Sequence, residues 1–220
     1  MPSAAPLPRS FYDRDPREVA PALLGKLLVR REGRKRLAGR IVEVEADLGA
    51  DDLAAHAAAG PTERNAVLYG PPGHAYVYFI YGAYFCLNVS CMREGDAGCV
   101  LIRALEPASG IDEMAAARGV EFSREPAVAE LKKLTSGPGR LCDAFDITRE
   151  RDNGKDLTSG RSDLQIVDDG APWPPVLVTA RIGITKDEHL PLRYIINGNP
   201  FISGTKGQNE RLLAAVNSSK

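Results

Sequence analysis

The sequence predicts a single α+β domain, and three observations carry that reading. The chain has 220 residues, enough for one domain with a substantial core, with no internal repeat and no composition break to mark a second. Extended apolar runs are punctuated by turn residues; Tyr76–Ile80 and Tyr84–Val89 read as two strands joined at Tyr81-Gly82-Ala83. Short helices are marked by their starts, of which Asp15-Pro16-Arg17-Glu18 is the clearest.

In chain order, residues 1–10 read as a flexible N-terminal tail, residues 11–204 as the domain and residues 205–220 as a polar C-terminal tail. Asp15 caps a helix, Pro16 suits its first turn, and Glu18 is placed to bond back. That helix ends at Gly25, with Pro21 placed to bend it. Lys26–Arg30 reads as a strand, and a turn near Glu32-Gly33 leads into a second strand carrying Glu45. Asp51 or Asp52 then caps a short helix through His56. Cys99–Leu105 is an apolar central strand with one arginine, Arg103, that needs an acid partner, and Glu45 is a natural candidate. Ser109 starts a helix ending at Gly119, and Val120–Leu134 is charged surface helix or loop. The Ser136–Arg140 turn opens a helix through Phe145. Arg149–Asp163 reads as loop, and Val176–Gly183 and Arg193–Ile196 as late strands.

Composition removes several function classes. With 28 basic and 29 acidic side chains the formal net charge is -1, which argues against a long-range basic field but leaves room for a local basic groove. The four cysteines, Cys86, Cys91, Cys99 and Cys142, form no Cys-x-x-Cys pair and sit among apolar residues. They read as small core residues of a reducing compartment, and no metal, iron–sulfur cluster or other cofactor is expected. No apolar run approaches membrane-spanning length and no secretory core is present, which predicts a cytoplasmic location, nucleoid-associated if bacterial.

The residues with chemical promise begin at Arg40-Ile41-Val42-Glu43-Val44-Glu45-Ala46-Asp47. Glu43, Glu45 and Asp47 alternate, so on a strand they share a face. Because burying charge is costly, that face either looks into water or lines a site where a carboxylate works. Tyr81 falls where the hairpin turns and should be exposed, as a wedge between stacked bases would be.

Together with His56, the Tyr78–Asn88 hairpin, Arg103-Ala104-Leu105-Glu106-Pro107, Ser136-Gly137-Pro138 with Arg140-Leu141, and Ala180-Arg181-Ile182-Gly183, these residues resemble the alkyladenine (3-methyladenine, methylpurine) DNA glycosylase family. The resemblance runs from about Phe11 to Ser203. It implies a curved antiparallel β-sheet with peripheral helices, similar to the formyltransferase C-terminal-domain-like fold. It also implies a monomer that acts on double-stranded DNA containing damaged purines, with water as the nucleophile and no cofactor.

The resemblance assigns roles residue by residue. Glu45 is the general base, and Arg103 holds it and the attacking water. His56, Tyr78, Asn88 and Leu101 line the base pocket, and Tyr81 fills the space left by the flipped nucleotide. Ser136, Gly137 and Arg140, before and within a helix start, are candidate phosphate contacts, with Arg64 as another. No lysine sits where a Schiff base would form, which predicts a monofunctional enzyme.

Two departures stand out. Asp47 occupies a pocket position where the family usually has a stacking tyrosine; aspartate does not stack, and it adds a second carboxylate beside Glu45. The alanines of Ala57-Ala58-Ala59-Gly60-Pro61 replace residues able to touch phosphate. Two rival readings are a damaged-DNA-binding module with weakened catalysis and a hydrolase of a small metabolite, which would need no wedge.

Overall fold

The structure, a computed structural model, describes residues 5–80, 82–122 and 125–204. The elements in order are α1 (Arg9–Tyr12), α2 (Pro16–Leu23), β1 (Leu27–Glu32), β2 (Lys35–Asp47), β3 (Ala75–Ile80), β4 (Tyr84–Cys91), β5 (Gly98–Ser109), α3 (Ile111–Arg118), α4 (Val128–Thr135), α5 (Pro138–Ala144), α6 (Arg149–Asp152), β6 (Leu164–Val167), β7 (Val176–Thr179) and β8 (Arg193–Ile196). Among the described residues the strands form one antiparallel sheet in the order β3-β4-β5-β2-β1-β6, with β8 on β2 and β7 on β8.

β2 organises this sheet. Its first half pairs with β1 and its last residues with β8, while β5 follows its other edge throughout. One strand serving two partners on one edge makes the sheet branch and curl into a half barrel. The register of β2 on β5 shifts between Ile41 and Val44, a bulge at Val42-Glu43. Its effect is visible in the packing: Ile41, Val44 and Ala46 all enter the main core, although strict alternation would split Ile41 from the other two.

The two faces of the sheet differ in chemistry. One carries Val77, Leu87, Val89, Val100, Ile102 and Val44 against Val19 and Leu23 of α2 and Leu141 of α5, all buried. Burying each such side chain contributes about 1.5–3 kcal/mol. The opposite face carries Tyr76, Tyr78, Cys86, Asn88, Cys99, Leu101, Arg103, Glu45 and Asp47. The three alternating acids are therefore not on a solvated face; all three are buried.

Local chemistry explains where elements start and stop, including where they depart from expectation. Asp15 caps α2 by accepting from the Arg17 amide at 2.8 Å, and Pro16 occupies the first turn. The helix stops at Leu23, before Gly25, with Pro21 inside it. The helix expected through His56 does not form. Instead a 3-10 turn covers Gly49–Asp51, and the Asp52 carboxylate accepts from the Ala54 amide at 3.0 Å within a run of turns. Ser109 ends β5, and Gly110 in the left-handed region starts α3. β7 stops at Thr179. The Arg149–Asp163 segment contains α6, because Asp152 is buried as the partner of Arg30 at 2.7 Å. β6, which the sequence reading lacks, extends the sheet beyond β1.

Within the segment read as an N-terminal tail, Leu7 is buried and its amide donates to the Ile166 carbonyl at 2.8 Å. The C-terminal tail, residues 205–220, lies outside the described residues, as does Tyr81. All four cysteines are buried and free, as expected, and burial pushes their thiols up. Among the described residues no group of His, Cys, Asp or Glu is placed to hold a metal ion, and no helix is long and apolar enough to cross a membrane.

Candidate active site

Strand register builds the site. Tyr76 stands opposite Asn88, Asn88 opposite Leu101, Leu101 opposite Glu45, and Glu45 opposite Arg193. Directly opposed residues of antiparallel strands project to one side, so this is a single row across β3, β4, β5, β2 and β8. Neighbouring positions on the same face add Tyr78, Cys86, Arg103 and Asp47. A cavity of about 60 Å³ opens above the row, lined by Glu45, Asp47, His56, Tyr78, Asn88 and Leu101 together with Ala46, Ala54, Arg181 and Ile184. Every residue expected in the base pocket is brought together here, with the expected base beside them.

Glu45 is 4% exposed. One carboxylate oxygen accepts from Arg103 Nη1 at 2.9 Å and the other from the Ile182 amide at 2.8 Å. Burial pushes its carboxyl above the usual 4.5; Arg103 and the Ile182 amide pull it down and Glu43 pushes it up, leaving a net upward shift. Glu43 goes the other way. It too is buried, which raises it, but Arg103, Arg193 and the Ser203 amide outweigh burial and hold it below the usual range. Two acids two residues apart are thus pushed in opposite directions by their surroundings.

Arg103 links them. Its Nε donates to Glu43 Oε1 at 3.0 Å while Nη1 holds Glu45. Arg193 Nε reaches the same Glu43 oxygen at 2.7 Å, and Ser203 Oγ donates to it at 2.9 Å. Glu43, Arg193 and Ser203 belong to this network, and the sequence reading gave none of them a role. Glu43 alone carried a signal there, as the first of the three alternating acids; Arg193 and Ser203 lie 150 and 160 residues from it.

The His56 wall is built from loop contacts. The His56 ring lies on Tyr78 with centroids 4.0 Å apart, and edge-on to Tyr76 at 5.7 Å. Asn65, buried, donates to the His56 carbonyl and the Gly60 carbonyl, each at 3.0 Å, and so fixes the loop of small residues between them. Asp47 accepts from the Gly49 amide at 3.2 Å and the His56 amide at 3.3 Å, and stands 3.5 Å from His56 Nδ1. Gly49 permits this turn: its φ is +76°, and a Cβ there would lie 1.8 Å from the Ala97 carbonyl oxygen. Asn88 is fixed on the floor by its bond to the Tyr76 carbonyl at 3.2 Å.

A buried ion pair joins the two loops around the cavity. Arg181 Nη1 and Nη2 grip the two Asp52 oxygens at 2.5 and 2.8 Å, and Nη1 also donates to the Ala46 carbonyl at 3.2 Å. The next residue, Ile182, supplies the amide on Glu45. Arg181 and Asp52 therefore hold the Glu45 partner in place; the sequence showed both residues but not their pairing across 129 positions.

The phosphate candidates do not form one cluster. Ser136, Gly137 and Arg140 line a cleft of about 350 Å³ with Lys132 and Arg103, so it adjoins Glu45 through that arginine. The Ser136 hydroxyl is buried there without a hydrogen-bond partner among the described residues. Gly139 lets α5 approach β4, since a Cβ would meet the Tyr84 ring at 2.8 Å. Arg64 lies elsewhere, in a cleft of about 300 Å³ on the His56 side with Thr62, Asn65 and Tyr76, and donates to the Phe79 carbonyl at 3.2 Å. The β3–β4 hairpin presents exposed Phe79 and Tyr84 on either side of its turn.

Comparison with known proteins agrees with this geometry. Residues 10–200 match the family model described as methylpurine-DNA glycosylase (MPG). Relatives bear the name "Putative 3-methyladenine DNA glycosylase". One from Koribacter versatilis is 62% identical over 92% of this chain and 95% of its own. One from Burkholderia lata is 47% identical over 91% and 92%. One from Methanoculleus marisnigri is 46% identical over 90% and 98%.

Proposed function

Since the chain belongs to the methylpurine-DNA glycosylase family, we propose that it is a DNA repair glycosylase that turns damaged purines out of duplex DNA and hydrolyses their N-glycosidic bond. The observation that carries this reading is the Glu45 carboxylate, clamped between Arg103 and the Ile182 amide at the edge of a cavity walled by the His56–Tyr78 stack.

The chemistry follows from the charges. As the bond between C1′ and the base nitrogen stretches, its electron pair goes to the base and positive charge develops on the sugar. The Glu45 carboxylate stabilises that charge and takes the proton from the water that bonds to C1′. Its upward-shifted affinity for protons suits it to this transfer, while Glu43, held charged by two arginines, keeps Arg103 in position. Tyr78 and His56 offer a ring surface to the extruded base, Leu101 lines its pocket, and Asn88 stands at its floor. Tyr81, between the exposed Phe79 and Tyr84, is proposed to fill the gap in the stack.

Ser136, Gly137, Arg140 and Lys132 form a cleft suited to backbone phosphates next to Arg103, and Arg64 is a candidate contact on the other side. Among the described residues no lysine lines the cavity, which supports a monofunctional enzyme that leaves an intact strand with an abasic site; a monomer is proposed from the family resemblance.

The test is product analysis. A duplex with one 7-methylguanine is expected to yield free base and a strand that breaks only on alkaline treatment. Strand cleavage without alkali would contradict the monofunctional reading. Tight binding of the damaged duplex with no base release would favour a damaged-DNA-binding module in which Asp47 has weakened catalysis.

A further inference from the structure

We infer that Asp47 makes this pocket selective for purines that carry a positive charge, N-alkylated bases such as 3-methyladenine and 7-methylguanine, over neutral lesions such as hypoxanthine; the inference rests on the glycosylase reading above. Its ground is the charge left in the cavity once the ion pairs are matched. Glu45 is paired with Arg103, Glu43 with Arg193, and Asp52 with Arg181. Asp47 is 9% exposed and lines the cavity. Its oxygens accept from two backbone amides, and His56 Nδ1 stands 3.5 Å away, longer than a normal hydrogen bond. A carboxylate therefore stands beside the His56–Tyr78 ring surface on which a base would rest.

The preference acts where the base is captured. When the glycosidic bond of a cationic purine breaks, the electron pair it receives neutralises the base, and the positive charge passes to the sugar beside Glu45. Asp47 thus attracts the base as it enters, and that attraction lapses as the base becomes neutral. A neutral purine that receives the same pair leaves as an anion next to two carboxylates, unless it is first given a proton. The arriving electron pair costs the same beside Asp47 in both cases, so the preference for the cation enters through capture. Opposite unit charges a few ångströms apart in protein surroundings shift an equilibrium by about 100-fold, less where water reaches them.

The experiment is single-turnover base release, with protein in excess of DNA but below saturation so that capture is included, from two duplexes of identical flanking sequence, one holding 7-methylguanine and one hypoxanthine, by the native chain and by Asp47→Asn. The native chain is expected to release 7-methylguanine at least about 100-fold faster relative to each base's spontaneous loss, and Asp47→Asn to reduce that ratio by about 10- to 100-fold. Comparable native rates on both bases would overturn the inference and leave the glycosylase reading standing. So would a ratio unchanged in Asp47→Asn. Absence of release from either duplex by the native chain would overturn the glycosylase reading and this inference with it. The native ratio needs no variant, so a misfolded Asp47→Asn is replaced by Asp47→Ser without loss of the test.

Discussion

Arg103→Met is expected to destabilise the protein in a pH-dependent way. Arg103 is buried and neutralises two carboxylates at once, Glu43 at 3.0 Å and Glu45 at 2.9 Å. Methionine approximates the stem but supplies no charge. Glu43 keeps Arg193 and Ser203, so the loss falls on Glu45, left with the Ile182 amide alone. Removing one partner of a buried pair costs about 3–5 kcal/mol. The sign of the pH dependence follows from the Glu45 shift, which is already upward and rises further without Arg103. A carboxyl with a raised folded-state pKa binds more protons folded than unfolded, so stability falls as pH rises from the unfolded value of 4.5 through the folded one. Toward pH 5 the folded variant sheds part of the penalty by taking up a proton at Glu45, and toward pH 8 it bears more of it. Urea unfolding of native and variant protein at both pH values measures the difference. Equal destabilisation at pH 5 and pH 8 would refute the assignment of Glu45 as the carboxylate that Arg103 keeps charged.

Three further outcomes follow from other parts of the site. Asp52→Asn leaves Arg181 buried without its countercharge and is expected to lower stability by about 3–5 kcal/mol and to slow base release, because the Ile182 amide loses its anchor; chemical unfolding and single-turnover rates check both. Gly49→Ala, at φ +76° and against the Ala97 carbonyl, is expected to lower stability by about 1–3 kcal/mol, or about 2–4 °C of melting temperature per kcal/mol, and calorimetry decides. Replacing Lys132 and Arg140 by alanine is expected to reduce the salt dependence of duplex binding by about one unit of slope for each phosphate no longer neutralised, and an unchanged slope would remove that cleft from the DNA path.

What the sequence revealed and what it hid divide by range. Asp15-Pro16 marks α2 because a cap and a first-turn proline act within a few residues. The Tyr76–Val89 hairpin is legible for the same reason, and so is the shared face of Glu43, Glu45 and Asp47, a consequence of strand period. Which side of that face is covered depends on β8 and the loop before it, more than a hundred residues on. Asp52 shows the failure most plainly. Its position suits a helix cap, yet Arg181 claims both carboxylate oxygens and turns the segment into a loop wall. Glu43 was legible as an acid, but its two arginines are distant in sequence, so its role was not. The roles of His56, Tyr78, Asn88 and Leu101 came from the family resemblance; the geometry adds that strand pairing and a ring contact bring them to one cavity.

The most direct test of the central claim compares single-turnover release of 7-methylguanine from duplex DNA by the native protein and by Glu45→Gln. Glutamine keeps the size of the side chain and one oxygen for the Ile182 amide or Arg103, but it does not take a proton from water. Base release that falls by at least about 100-fold in Glu45→Gln, with binding to damaged duplex retained, is the result predicted. Release at an undiminished rate would contradict Glu45 as the base and the mechanism built on it.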